Sequence, residues 1–336
     1  MESYFVELTD IGKSHLNKEE ITNENLGDDE AIIKAEYSMI SAGTELSRAF
    51  ALKKGFKYPV RPGYCMVGTV LEKGKNIDAE VGGKVFVNAP HSSLARWKNT
   101  GKIQGQQILK LKDGVDPKEA TAINLLLVAI QGVNLTDVKL GYTVGVFGLG
   151  NIGIMAALMY KKLGCKVIGI DPVEKRCELA KEMGLEYVIS SKDQKEEINK
   201  LTDGKGLDIA ADVTGIASVI ITCVDCVKPY GQVLLLGSPR QSLETDVMPL
   251  LSNMHMKNLK VIGGFNKTAP VYPVDGSDNS LIRNFDIVQD LIINKDIDIS
   301  KLISKTIDPK DCEEAYYDLM YNKDKVNCII FDWNNY

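Results

Sequence analysis

Thr143-Val144-Gly145-Val146-Phe147-Gly148-Leu149-Gly150-Asn151-Ile152-Gly153 is the stretch that decides the fold. Five residues of strand-type composition run into a Gly-x-Gly-x-x-Gly turn, and the apolar spacing over 152–163 reads as a helix. Gly148 permits the tight turn and Gly150 lets backbone approach a pyrophosphate. Asn151 and Ile152 open the helix, and Gly153 lets it pack close against the strand. The helix start then offers free N–H groups and the positive end of its dipole to an anion. By itself the motif is weak evidence; a strand before it and a helix after it make it a dinucleotide-binding turn.

Working outward, a second strand over 166–170 ends at Asp171, where an acid is expected to grip the adenosine ribose 2′-OH. A carboxylate there repels a 2′-phosphate, so the expected cofactor is NAD(H); Lys175 and Arg176, just beyond, soften that preference. Further strands are expected at 187–190, 207–212, 231–236 and 261–265. Helices are expected over 174–183, 195–201 and 218–226. Six strands with crossover helices make a complete doubly wound unit. Residues 1–120 are different: short apolar runs at 31–37, 65–71 and 84–88, separated by Gly, Pro and Asn, predict a β-rich region. After an irregular stretch at 266–280, expected to be a loop over cofactor or substrate, helices over 281–293 and around 312–320 and a strand at 328–333 close the chain. The expected division is 1–123, 124–266 and 267–336, the last segment returning to the first.

The 336 residues, with 44% hydrophobic and 25% charged, suit two globular domains. A net charge of −5 argues against nucleic acid or an anionic membrane surface as partner. No run approaches the roughly 18 apolar residues of a spanning helix, and the N-terminus lacks a signal peptide's basic and apolar regions. Seven scattered Cys do not form a disulfide framework. A reducing, cytoplasmic setting is expected.

The sequence resembles the medium-chain dehydrogenase/reductase superfamily along nearly its whole length. The resemblance rests on Ser41-Ala42-Gly43-Thr44-Glu45, Tyr58-Pro59-Val60-Arg61-Pro62-Gly63-Tyr64, Val67-Gly68-Thr69-Val70, Val128-Ala129-Ile130-Gln131-Gly132-Val133, the Gly148 turn and Ile262-Gly263-Gly264-Phe265. It is closest to the polyol/threonine dehydrogenase and bacteriochlorophyllide dehydrogenase-like branches. It implies an α/β fold pairing a β-rich, chaperonin-10-like catalytic domain with a Rossmann domain. Thr214, Gly237, Ser238, Gly264 and Phe265 join Gly148, Gly150, Asn151, Ile152, Gly153, Asp171 and Arg176 as cofactor-binding residues. A homodimer or homotetramer is implied as well, paired through the strand at 261–265.

The departures from the family pattern bear on chemistry. Where zinc-dependent members carry a Cys, a His and a third Cys or Glu, this chain has Ala42, Tyr64 and Asn124. Ala has no donor, and Tyr and Asn are poor zinc ligands; only Cys65 is left nearby, and the cysteine-rich structural zinc lobe is missing after His91. No metal is expected. Four residues on segments that the family places around the nicotinamide are the catalytic candidates. Thr44 matches the relay hydroxyl, with capping of a helix over 45–51 as its plainer role. Tyr64 stands at a metal ligand's position, as proton donor or as packed aromatic. His91, in Ala89-Pro90-His91, suits acid/base work by its ordinary pKa, with a structural role as the alternative. Asn124 is placed to orient a substrate hydroxyl. The basic cluster Lys53, Lys54, Lys57 and Arg61 reads as a solvated rim, and Cys223 and Cys226 as buried helix residues. The expected function is zinc-free, NAD(H)-dependent oxidation of a secondary alcohol, or reduction of a ketone, on a polyol, cyclitol or sugar-like small molecule. An enone or quinone C=C reductase and a non-catalytic NAD-binding subunit are the alternatives.

Overall fold

The computed structural model describes residues 1–336 except 53, 54, 101–104, 191, 192, 278 and 324. The chain forms two compact units: Met1–Asn124 with Pro270–Val274 and Ser280–Tyr336, and Leu125–Ala269 with Asp275–Asn279.

The first unit begins with a hairpin of β1 (Glu2–Asp10) and β2 (Lys13–Glu20). There follow β3 (Glu30–Met39), α1 (Ala42–Ala49), β4 (Met66–Lys73), β5 (Lys84–Val87), β6 (Leu94–Lys98), β7 (Ile108–Lys110) and α2 (Pro117–Ala120). Helix α2 is started by Asp116, whose carboxylate accepts the backbone N–H of Lys118 and Glu119.

Helix α3 (Ile123–Asn134) leads into the second unit, which alternates strictly: β8 (Thr143–Phe147), α4 (Asn151–Lys162), β9 (Lys166–Ile170), α5 (Glu174–Glu182), β10 (Tyr187–Ile189), α6 (Gln194–Leu201), β11 (Leu207–Asp212), α7 (Ala217–Cys226), β12 (Val227–Leu235), α8 (Met248–Met256) and β13 (Lys260–Gly263). Its six strands are parallel, in the order β10-β9-β8-β11-β12-β13. All six residues of β11 are buried, as expected of a parallel strand covered on both faces. The strand order reverses between β8 and β11, and a crevice for a ligand opens at the carboxyl ends of such neighbours. Phe147 and Asp212 are register partners there.

The chain then returns to the first unit with α9 (Leu281–Ile293), β14 (Lys305–Ile307), α10 (Cys312–Tyr321) and β15 (Ile329–Asp332). Among the described residues these complete a seven-stranded sheet, β14-β15-β3-β4-β5-β7, with β6 also pairing β3. β15 lies antiparallel to β3, Phe331 opposite Ser38. The core beneath joins early and late residues: Ile33, Met66, Val85, Tyr316, Phe331 and Trp333 are all buried in one cluster.

The architecture is therefore α/β, a chaperonin-10-like β unit and a Rossmann unit. Element boundaries in the second unit fall close to the expected ones, although β12 starts four residues before the expected 231. Helix α8 was not anticipated, and none of its residues is buried. The helix expected over 45–51 runs instead over Ala42–Ala49, starting three residues earlier. No helix among the described residues is long and apolar enough to cross a membrane, and all seven cysteines are buried free thiols.

Candidate active site

In the second unit the glycine turn sits at the sheet's switch point. Gly148 has φ +97, and a β-carbon there would stand 2.8 Å from Thr214 Cγ2, so the loop after β8 and the loop after β11 touch. A β-carbon on Gly153 would lie 1.8 Å from the Gly148 carbonyl oxygen. That contact leaves room for hydrogen alone, and it lets the start of α4 tuck beneath the turn. Around Gly150 nothing comes within 4 Å of a β-carbon position, and no side chain caps α4. The turn thus has an open approach and a helix start uncovered by side chains, which fits a pyrophosphate. Gly153→Ala is expected to push α4 away from the turn. The change should cost about 1–3 kcal/mol of stability and abolish saturable NADH fluorescence enhancement; undisturbed binding would contradict the cradle.

Asp171 ties the turn to β9. It is 2% exposed; Oδ2 accepts the Leu149 N–H at 2.8 Å and Oδ1 the Val173 N–H at 2.9 Å. Arg176 Nη1 lies 3.4 Å from Oδ2. Asp212 organises the loop opposite: Oδ1 accepts Thr214 N–H at 2.9 Å and its Oγ1–H at 2.6 Å, and Oδ2 accepts Gly215 N–H at 3.1 Å. Arg240 donates from Nε to the Thr214 carbonyl. Gly237 packs so closely that a β-carbon would sit 2.4 Å from Gly215 N. Ser238 is exposed beside it. Gly264 N–H bonds to Leu235 O at 2.9 Å, and Phe265 beyond it is 60% exposed.

In the first unit three of the four catalytic candidates come together. The Tyr64 phenol oxygen lies between Ser41 Oγ and Thr44 Oγ1, 3.1 Å from the latter. With one proton, the phenol donates to one hydroxyl and accepts from the other. Burial is the main influence on Tyr64 and pushes its pKa well above the usual phenol range, so it stays protonated. Asn88 Nδ2 donates to the Tyr64 carbonyl at 2.9 Å and to Asn124 Oδ1 at 3.2 Å, linking Asn124 to the group. Thr44 is exposed and Tyr64 and Asn124 are half-buried.

Helix α1 shows why Thr44 is not a cap. Ser41 is the N-cap, and the carboxylate of Glu45 reaches back to accept the Ser41 N–H at 2.8 Å. Thr44 therefore sits inside the first turn with its hydroxyl turned to Tyr64. The sequence reading missed Ser41, Glu45 and Asn88; a Ser followed by Glu four positions on was the available signal.

His91 is not a substrate-facing acid. It is 0% exposed, Nδ1 lies 2.7 Å from Ser38 Oγ and Nε2 lies 3.0 Å from Glu45 Oε2. Both ring nitrogens are occupied, and Phe331 packs edge-on to the ring with centroids 5.0 Å apart. The structural alternative holds for this residue. Arg61 is likewise engaged, stacked 3.5 Å over the Phe5 ring and bonded to both Glu19 oxygens at 2.6 and 2.8 Å. Lys53 and Lys54 lie outside the described residues. Cys223 and Cys226 are buried on α7.

The positions that the resemblance assigns to zinc ligands, Ala42, Tyr64 and Asn124, carry a methyl group, a phenol and an amide. Cys65 is fully buried, and desolvation raises its thiol pKa well above the ordinary value. Among the described residues no three His, Cys, Asp or Glu side chains are grouped to hold a metal ion. This donor set does not fit a catalytic zinc.

The parallel sheet with a glycine turn at its switch point and the chaperonin-10-like β unit form an architecture shared with solved dehydrogenases. Residues 151–273 match the family model described as zinc-binding dehydrogenase. The chain is 29% identical over 191 residues to a D-guloside 3-dehydrogenase of Shigella flexneri, covering 52% of this chain and 54% of the relative. The alignment thus spans about half of that curated protein. The fold superposes with a TM-score of 0.83 on galactitol-1-phosphate dehydrogenase from Escherichia coli, at 17% identity over 98% of this chain and 99% of the other. A short chain alcohol dehydrogenase from E. coli CFT073, complexed with NADH, superposes with a TM-score of 0.81 at 17% identity, covering 98% and 99%. Over residues 151–273 the chain is thus similar to the zinc-binding dehydrogenase family, and over its whole length it shares the fold of these solved dehydrogenases.

Proposed function

We propose that this protein is an NAD(H)-dependent dehydrogenase/reductase that interconverts a secondary alcohol and a ketone on a polyol, cyclitol or sugar-like small molecule, without zinc. The observation that carries the proposal is the Ser41–Tyr64–Thr44 hydroxyl cluster, in which Tyr64 stands at a position that the resemblance assigns to a metal ligand. The dehydrogenases of a guloside and of galactitol 1-phosphate among its relatives support the substrate class.

A bound nicotinamide supplies or accepts the hydride. The chain's own residues must manage the oxygen. The exposed Thr44 hydroxyl and the Asn124 amide hold the substrate oxygen by hydrogen bonds. As hydride reaches the carbonyl carbon, the oxygen becomes basic and takes the Tyr64 phenol proton. The Ser41 hydroxyl stabilises the phenolate by a hydrogen bond, and a proton from solvent water restores the phenol once the alcohol product leaves. Because burial keeps Tyr64 protonated, the cluster favours carbonyl polarisation over resting as a base. Asp171 selects NAD(H) by accepting from the ribose. Asp171→Gly is expected to weaken NADH binding about 10- to 100-fold, the worth of hydrogen bonds to a charged group, and to narrow the gap to NADPH; fluorescence titrations with both cofactors measure it. We also infer a cytoplasmic homodimer that pairs at β13, whose outer edge carries no strand among the described residues and whose Val261 is 42% exposed.

The test is a chelator-dialysed enzyme, assayed for metal content and for turnover. The substrates are galactitol 1-phosphate, further polyols and cyclitols, their ketones, and a set of enones and quinones. Ketone formation with NAD⁺, unaffected by chelation, is expected. Stoichiometric zinc that tracks activity would overturn the zinc-free mechanism, turnover of enones alone would overturn the substrate class, and cofactor binding with no turnover would favour a non-catalytic subunit.

A further inference from the structure

Behind the hydroxyl cluster lies a buried polar chain that no step above uses. Glu45 is 1% exposed. Its Oε1 accepts the Ser41 N–H at 2.8 Å, while Oε2 accepts the Tyr316 hydroxyl at 2.7 Å and lies 3.0 Å from His91 Nε2. His91 Nδ1 is 2.7 Å from Ser38 Oγ, which accepts the Trp333 Nε1–H at 2.8 Å. Trp333 Nε1–H donates to Ser38 Oγ; with the Ser38 hydroxyl proton directed to Nδ1, the imidazole carries its proton on Nε2 and donates it to Glu45. Every donor then meets an acceptor along Trp333, Ser38, His91 and Glu45, with Tyr316 closing on Glu45 from the other side. A buried polar network satisfied this fully has one geometry.

The chain grips both sides of the hydroxyl cluster. Through Glu45 it holds the first turn of α1, which carries Ser41 and Thr44. Through His91 it holds the segment that carries Tyr64: the His91 N–H donates to Pro62 O at 2.9 Å. A β-carbon on Gly63, at φ +104, would stand 2.5 Å from His91 N and 2.8 Å from its ring. Two of its members, Tyr316 and Trp333, come from the returning C-terminal segment.

We propose that Glu45 is the positioning residue of the Ser41–Tyr64–Thr44 cluster, holding the two hydroxyls of α1 against the phenol through a buried clamp with His91 and Tyr316. This rests on the reading of Tyr64 given above. Glu45→Gln keeps the side-chain length but turns an amide N–H₂ toward one of three donors. Tyr316→Phe keeps the ring and removes one donor.

The test uses full-length protein with 3-fluorotyrosine at position 64, read by ¹⁹F NMR, together with kcat on the best substrate of the screen above. Expected are a shifted or split fluorine line in Glu45→Gln and Tyr316→Phe, and a fall in kcat of about tenfold or more, equivalent to one or two charge-assisted hydrogen bonds. NADH affinity should hold within about twofold. Glu45→Gln/Tyr64→Phe should be no slower than Tyr64→Phe alone, since both changes disable one device. An unmoved fluorine line, or losses that multiply in the double variant, would overturn the clamp while leaving the site reading intact. Full kcat in Tyr64→Phe would instead overturn the site reading and the clamp with it. Should Glu45→Gln not fold, Tyr316→Phe carries the same comparison.

Discussion

Tyr64→Phe lowers kcat for ketone reduction about 100-fold or more, the lower end of what one positioned proton donor contributes, while the KM of the substrate and the affinity for NADH change little. The physical basis is narrow. The substitution removes one oxygen, keeps the ring that fills the space, and leaves the Ser41 and Thr44 hydroxyls free to hydrate. The Asn88 link to the residue survives, because it goes to the Tyr64 backbone carbonyl. The proton that neutralises the developing alkoxide is therefore the only thing lost. A pH profile gives a second readout. Burial holds the phenol proton well beyond its usual range, so the donor is present throughout neutral and mildly alkaline solution. Steady-state rates of the reductive direction should show no fall attributable to phenol ionisation up to about pH 10, the ordinary tyrosine value. Equal kcat in wild type and Tyr64→Phe would show that the phenol only packs.

The second large effect is alkaline unfolding. All seven thiols are buried, and desolvation is the leading cause that raises each pKa, to about 11 for Cys177 and Cys226 and about 12 for Cys328. In the unfolded chain a thiol ionises near pH 8.5. Above that pH the unfolded state sheds protons that the folded state keeps. The stability they contribute is therefore complete below about pH 8.5 and is lost as pH rises toward the folded values. Each thiol contributes up to about 1.4 kcal/mol per pH unit between its unfolded and folded values, and the seven contributions share one sign. The fold is then expected to lose stability progressively as pH rises from about 8.5 to 10. Guanidinium melts under reducing conditions at pH 7, 9 and 10 measure this directly. Midpoints that stay level between pH 7 and 10 would show that these thiols ionise as readily in the fold as outside it.

Much of the second unit was legible because its signals are local. A strand, a glycine turn and a helix follow one another within 143–163, and the acid that ends β9 comes directly after its strand. Helix α8 escaped notice for the opposite reason. Met248, Leu250, Leu251, Met254 and Met256 leave no polar face to give a period, and none of its residues is buried. The capping alternative for Thr44 does not hold, because Ser41 starts the helix and Glu45 reaches back to it, and Glu45 is in turn held by Tyr316, 271 positions away. His91 stood out as the histidine in the right segment. Its partners Ser38, Glu45 and Phe331 assemble only when β3, α1 and β15 pack, and together they bury it.

From its order of residues alone, this chain determined the alternating sheet of its second unit, where the glycine turn lies, and which residue types stand at Ala42, Tyr64 and Asn124. Those are statements about which atoms are present and about elements that form from neighbouring residues. Tertiary structure decided which hydroxyls meet and which polar groups are sealed from water. Burial and hydrogen bonding depend on distant segments arriving together, and neither is written in any one stretch of the chain.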